Sequence, residues 1–405
     1  MQYTIGLVRP ALAWFRPEQT LVDDFVYHLS RMAEVVMIGG TNFTAITNVE
    51  SFYDPSYQTE NRLNVLRQMA EEKKHHQFDM LFFMDLLSPE VPSIVMDNPE
   101  IPYAGIVTST TRMWDKSNRN VVGRFEDNIM EGADRIYVAT QALKDALMQH
   151  HMIGGDKVAV VGYPCRVDKA FTATTKEKIL VMPQRVCDDN GLQVLIDAAR
   201  EYNSLAGVTS DNASYRLSRG LDLVRFMAVV PGSMLNSRRN LPDTTKLPQN
   251  LMFRVVKNKH DYLSFLSRCQ WVLGWNDRDT MQYEVMEAVL AGATPIVRPT
   301  PFTDELFPTA LKVNSASDLA RLLFLNKAQV NPSVTRPRVF DEAEIKMIAD
   351  LMQVLAVNKE PIVKEAVIAV TPIPPTPPPV VPTAAAEAVL PPPASPPSGR
   401  DPETY

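Results

Sequence analysis

Short apolar runs alternate with amphipathic stretches along most of this chain. Residues 3–8, 34–38, 80–84 and 103–107 are compact runs of β-branched, aromatic and other apolar side chains, and each reads as a buried strand. Residues 20–32, 61–75 and 124–131 repeat their apolar positions every three to four residues and read as helices. Gly39-Gly40 supplies a turn after the second run. A second series follows, with strands expected at 178–182, 223–230, 252–256, 270–275 and 294–297 and helices at 191–202, 261–268, 317–325 and 342–357. Strands that alternate with helices predict parallel sheets with crossover connections. The stretch 165–178 lacks any periodicity and separates the two series.

The expected organisation is therefore α/β, with two Rossmann-like domains and a cleft between them. The first spans 1–165, a linker spans 166–178, the second spans 179–340, and a helix at 341–358 crosses back to the first. A length of 405 residues supports two domains, because single cores stop growing below that size. The remainder, 359–405, differs in kind. It holds fourteen of the 32 Pro, in runs such as Pro377-Pro378-Pro379 and Pro391-Pro392-Pro393. Such a segment cannot form a helix or a central strand and buries too little to offset its ordering entropy, so a disordered extension biased to polyproline II is expected. It is either a solvated spacer or a ligand for a protein partner with an aromatic groove.

Charge and cysteine usage narrow the setting. The net charge of −6 leaves no broad basic footprint for nucleic acid, so DNA is a disfavoured partner. Cys165, Cys187 and Cys269 are odd in number and far apart, which fits thiols in a reducing compartment rather than a disulfide framework or a metal site. No apolar run is long enough for a membrane span, and a cytoplasmic protein is expected.

The candidate chemistry concentrates between residues 270 and 299. An apolar strand ending at Trp275 runs into the polar Asn276–Thr280, a helix is expected from Met281, and Ala291-Gly292 closes it. A loop at the carboxyl end of a parallel strand, leading into a helix N-terminus, is where α/β sheets hold anionic ligands such as a diphosphate. Asp279 at the helix mouth could accept from sugar hydroxyls, and Glu287, eight residues on, from a ribose. Alternatively Asp279 only caps the helix and Glu287 is a solvated helix residue.

This acidic-x7-Glu pattern, Asp279 to Glu287, resembles the signature of the retaining GT-B glycosyltransferases, family 4 or glycosyl transferases group 1. Residues 133–164 also resemble the segment closing the N-terminal domain in that family. The resemblance covers roughly Tyr3 to Val357. It implies a metal-independent hexosyl transfer with retention from a UDP- or GDP-sugar to an acceptor hydroxyl, with a nucleotide-sugar co-substrate and no cofactor or metal. It further implies that Arg185, after the first strand of the second domain, grips the diphosphate. The family's Lys before the following glycine is Asn190 here, so Lys257 is the alternative second cation. Gly232 matches a strand-end glycine near the donor, and Thr280 and Met281 follow the acidic residue. The loop 299–306 matches one that closes a side of the donor pocket.

The first domain departs from the family. The loop after residues 101–107 carries Thr108, Ser109 and Thr110 where relatives carry a catalytic His. None of the six His stands there, and four of them sit in charged, helix-like surface runs. Asp85 and the pair Asp97-Asn98 are candidates to orient or deprotonate the acceptor. Arg112 and Trp114 could stack on its ring. Catalysis would then fall to Asp279, Arg185 and Asp85, and donor binding to Arg185, Lys257, Gly232, Asp279, Thr280, Met281 and Glu287. The acceptor stays open among a glycan, a protein, a small molecule and a modified base in DNA. The rival readings are an inactive GT-B-like binding protein and a nucleotide-sugar epimerase on the same fold.

Overall fold

The computed structural model describes residues 3–9, 26, 29–39, 55–114, 121–162, 167, 171, 175–183, 191–208, 223–231, 246–256, 259–276, 280–325, 346–347 and 349–356, with side chains omitted at 55–61, 114, 121, 230 and 231. The segment 357–405 lies outside them.

The first half contributes six strands: β1 (Tyr3–Val8), β2 (Ala33–Ile38), β3 (Met80–Phe83), β4 (Tyr103–Ile106), β5 (Arg135–Val138) and β6 (Val158–Val160). They form one parallel sheet in the order β2-β1-β3-β4-β5-β6. Its described helices are α1 (Pro55–Glu72), α2 (Val91–Asp97), α3 (Thr111–Trp114), α4 (Val121–Gly132) and α5 (Gln141–His151). β3 and β4 are buried at every position, because strands covered on both faces by helices need apolar side chains on both.

The second half contributes β7 (Glu177–Met182), β8 (Arg225–Pro231), β9 (Leu251–Val256), β10 (Cys269–Gly274), β11 (Thr294–Val297) and β12 (Leu311–Lys312). These pair in parallel as β12-β11-β10-β7-β8-β9. Renumbered within the domain this is 3-2-1-4-5-6, the doubly wound order whose direction reverses between the first and fourth strands, here β7 and β10. The helices α6 (Leu192–Leu205) and α10 (Ala316–Phe324) cover one face, where Leu195, Ala199, Phe226, Leu319 and Leu323 share a buried cluster. α7 (Lys259–Arg268) and α8 (Tyr283–Leu290) cover the other, with Phe265 and Met286 in one cluster with Val181 and Val272.

Both sheets belong to one unit, Met1–Glu360. Residues 349–356 are helical, and Met347, Leu351 and Leu355 line up at i, i+4 and i+8 in a buried cluster that includes Ile5 and Leu29. Arg135 of β5 donates through Nε to Asp350 Oδ2 at 2.7 Å, and a second guanidinium nitrogen reaches Oδ1. The terminal helix is thus tied to the first sheet. Among the described residues no helix is long and apolar enough to cross a membrane.

Candidate functional site

The reversal between β7 and β10 places the carboxyl ends of both strands at one crevice, the position where open α/β sheets take ligands. Gly191 opens α6 there with φ of +78°, and a Cβ on it would stand 2.6 Å from Trp275 Cβ. Only glycine lets the start of α6 approach Trp275 this closely. Trp275 in turn carries the guanidinium of Arg298, whose carbon is 5.6 Å from the ring centroid. Arg298 stands at the carboxyl end of β11, and its N–H donates to Gly274 at 2.9 Å. The sequence reading missed this cation because it looked for one only after β7 and β9.

The helix expected from Met281 begins two residues later, at Tyr283, so Met281 offers no helical N-terminal amide. The cap is Gln282, in the left-handed region at φ of 49° and without a side-chain capping bond. Its buried carboxamide is used elsewhere. Nε2 donates to the Asn276 carbonyl at 3.0 Å, and Oε1 lies 2.7 Å from where a Gly274 Cβ would stand. The hydroxyl of Thr280 donates to the Thr108 carbonyl of the first domain. The two hydrogen bonds hold 280–282 in an irregular turn and delay the helix.

Glu287 occupies the second turn of α8 and is fully buried, which removes the solvated alternative for it. Isolated carboxylates are not buried without compensation, since desolvation costs several kcal/mol. Asp279, Arg185, Lys257 and Gly232 lie outside the described residues.

Across the crevice, Asp85, Leu87, Thr108, Ser109, Thr110, Thr111 and Glu126 line a cavity of about 320 Å³ at the carboxyl ends of β3 and β4. Asp85 Oδ1 accepts from the Leu87 N–H at 3.1 Å, which orients the carboxylate. Glu126 of α4 accepts from the Thr111 N–H at 2.8 Å and from its hydroxyl. Beneath the same loop lies a hydrogen-bonded chain. His151 Nε2 is 2.8 Å from the Thr110 hydroxyl, and its Nδ1 is 2.6 Å from Asp127 Oδ1. A carboxylate only accepts, so Nδ1 carries the proton. The signal was legible: Leu143, Leu147 and His151 are the buried stripe of α5 at i, i+4 and i+8, so the His belongs to the core face while His150 does not.

Two first-domain candidates do not reach this site. Asp97 ends α2, and Asn98 caps that helix by donating to the Ile94 carbonyl at 2.7 Å. The run before them is helix, so the pair precedes β4 at its amino end, away from the cavity. Arg112 is committed to Asp127 and to the His150 carbonyl, and its side chain lies on Gly123. It is not presented to an acceptor ring. The side chain of Trp114 lies outside those described.

The segment that follows β11 docks on the first domain. Thr300 and Thr303 form a reciprocal capping box that starts α9 (Pro301–Leu306). Phe302 joins the first domain's buried cluster, which includes Val138 and Leu143. Glu305 accepts from the backbone N–H groups of Gln141 and Ala142, the first residues of α5.

No family model matches the sequence, and no curated protein matches it. Solved structures do. HepE of Anabaena, in complex with UDP and glucose, superposes with a TM-score of 0.53 at 12% identity, covering 88% of this chain and 97% of that one. A glycosyltransferase of Rickettsia africae gives 0.53 at 14% identity, over 89% and 99%. The UDP-GlcNAc 2-epimerase of Methanocaldococcus jannaschii, in complex with UDP-GlcNAc and UDP, gives 0.56 at 11% identity, over 87% and 100%. The chain has the GT-B fold: two Rossmann-like α/β domains, each built on a parallel six-stranded sheet.

Proposed function

We propose that this protein is a glycosyltransferase that moves a hexosyl group from a nucleotide sugar to an acceptor hydroxyl, with retention and without a metal ion. The carrying observation is the Thr280–Thr108 hydrogen bond. It sets the carboxyl-end loop of β10 against that of β4, which brings a donor crevice and a polar cavity together in one cleft. The neighbouring structures with bound UDP favour a UDP-sugar over a GDP-sugar.

In this reading Glu287 receives the ribose hydroxyls, and Asp279 receives those of the transferred sugar. Arg185, Lys257 and the backbone at Gly232, Thr280 and Met281 hold the diphosphate, with Arg298 as a further cation. The bond from the anomeric carbon to the diphosphate breaks, and a bond from the acceptor oxygen forms on the same face. Donors aimed at the departing diphosphate lower the barrier, because fixed dipoles act where charge develops. Asp85, oriented by Leu87, accepts the acceptor's proton. The expected setting is the cytoplasm.

The similarity to an epimerase complex supports one second reading, isomerisation of the nucleotide sugar itself. The two separate in a single experiment: incubation with UDP-glucose and UDP-GlcNAc, followed by proton NMR. Slow release of UDP and free sugar supports transfer to water by a transferase. An epimerised nucleotide sugar with no UDP release supports the alternative. Calorimetry with UDP and GDP on the parent and on Glu287→Ala tests the ribose role, and equal affinity would refute it.

A further inference from the structure

We infer that His151 is a positioning residue for the acceptor. Through Thr110 it fixes the direction of a hydrogen bond at the wall of the cavity that follows β3 and β4, so that a ligand group docking there must be a donor, an O–H or an N–H; this rests on the transferase reading above. The direction originates at Asp127. Arg112 pairs with Oδ2 of that carboxylate, and Oδ1 lies 2.6 Å from His151 Nδ1. A carboxylate only accepts, so Nδ1 holds the proton of the ring and donates to Asp127. Arg112 already balances the Asp127 charge, and the neutral ring leaves Nε2 bare. That atom is 2.8 Å from the Thr110 hydroxyl. A bare nitrogen only accepts, so Thr110 spends its one hydroxyl hydrogen on His151.

Glu126 imposes the same direction on the next residue. Its carboxylate accepts from the Thr111 N–H at 2.8 Å and from the Thr111 hydroxyl, so that hydroxyl hydrogen is spent as well. Thr110 and Thr111 both line the cavity. Whatever else their hydroxyl oxygens meet must donate to them, because only lone pairs are left.

The direction is held firmly. The His151 side chain is fully buried on the core stripe of α5, so neither ring nitrogen exchanges its partner for solvent. A hydroxyl free to rotate would serve a donor and an acceptor alike, whereas a fixed one discriminates. Hydroxyl and amino groups of a ligand satisfy it. An ether oxygen or a fluorine in the same place leaves the threonine oxygen without a partner, and the loss falls on the mismatched ligand.

The test has two halves, both on the full chain. Proton–nitrogen correlation NMR with isotope-labelled histidine, in which the His151 signals are those lost in His151→Gln, is expected to show a protonated Nδ1 and a bare Nε2 at neutral pH. A protonated Nε2 would reverse the Thr110 bond and overturn the inference. Saturation-transfer titrations with UDP present then compare glucose with the deoxyfluoro glucoses, each carrying fluorine in place of one hydroxyl. At least one of these is expected to bind the parent about tenfold more weakly than glucose, yet to lose nothing further in Thr110→Val. Glucose itself is expected to weaken about tenfold in Thr110→Val and to recover in Thr110→Ser. Deoxyfluoro sugars that all match glucose on the parent, a serine variant as weak as the valine one, or no sugar binding by the parent would each overturn the assignment. The fluorine series and the ring tautomer are read on the parent, so they decide the matter even where Thr110→Val fails to fold. Absence of UDP binding, with the tautomer and the fluorine effect intact, would instead sink the transferase reading alone.

Discussion

The carboxylate of Glu305 caps the helix that begins at Gln141, accepting from the Gln141 N–H at 2.7 Å and from the Ala142 N–H at 3.0 Å. The two residues belong to different domains. The Leu143 N–H is satisfied by the Thr140 side chain and the Lys144 N–H makes the first intrahelical bond, to the Thr140 carbonyl, so the cap completes the partners of the N–H groups of residues 141–143. Helix α9, which carries Glu305, also delivers Phe302 into the first domain's core. This joint lies beside the cleft, and it sets how the donor and acceptor loops face each other.

Glu305→Ala should therefore loosen the joint without unfolding either domain. A helix N-terminal cap contributes roughly 1 kcal/mol, and the carboxylate's interaction with the helix dipole adds a few tenths. The expected result is a Tm lower by a few degrees and a larger radius of gyration in small-angle scattering. A radius unchanged from the parent would show that Phe302 alone holds the joint.

His151 separates a positioning role from simple packing. Asn reproduces the reach of Nδ1 and Gln that of Nε2, so His151→Asn keeps the Asp127 contact and His151→Gln keeps the Thr110 contact. Either leaves one buried group short of a partner, at about 1–3 kcal/mol in urea unfolding. Only His151→Asn should also weaken sugar binding to the cavity, because it releases Thr110. Equal losses of sugar affinity in both variants would assign His151 to packing alone.

The fold was largely legible because buried parallel strands are compact apolar runs, and β3, β4 and β10 fall within a residue or two of their expected limits. The failures have local causes. α2 was not among the expected elements because 7 residues are too few to show a helical period, and its helical state depends on a Pro in its first turn and on packing through Val91 and Ile94. The start of α8 was misplaced because Gln282 spends its side-chain amide on the Asn276 carbonyl, a bond that depends on the strand end beneath it. In the site, the acidic-x7-Glu spacing singled out Glu287, which is buried. The His151–Thr110 contact joins residues 41 apart, and no local pattern announces such a pair.

Alkaline pH should destabilise the protein through Cys269. Burial raises its thiol from an ordinary value near 9 to about 12, and the thiol also donates to the Phe265 carbonyl at 3.4 Å. A raised folded-state pKa gives stability that is complete below pH 9 and is lost as pH climbs toward 12, with a slope of at most about 1.36 kcal/mol per pH unit. Lys176, lowered by burial from 10.5, works in the opposite direction just below that value. The difference between the parent and Cys269→Ala in urea unfolding from pH 8 to 11 isolates the thiol. Parallel curves would refute its contribution.

Gly191 links the fold to the donor crevice most directly. Its φ of +78° costs an alanine roughly 1 kcal/mol, and the added Cβ would stand 2.6 Å from Trp275 Cβ, so that Trp275 and the loop after β10 must shift. Gly207 is the matched control. It also has a positive φ, of 62°, but a Cβ there meets nothing within 4 Å. Gly207→Ala should lower stability by about 1 kcal/mol and leave UDP affinity untouched. Gly191→Ala should cost about 2–4 kcal/mol and weaken UDP binding by tenfold or more, because Trp275 leads directly into the crevice. Calorimetry on the two variants side by side checks both halves. UDP affinity preserved in Gly191→Ala would place the nucleotide away from the β7–β10 reversal.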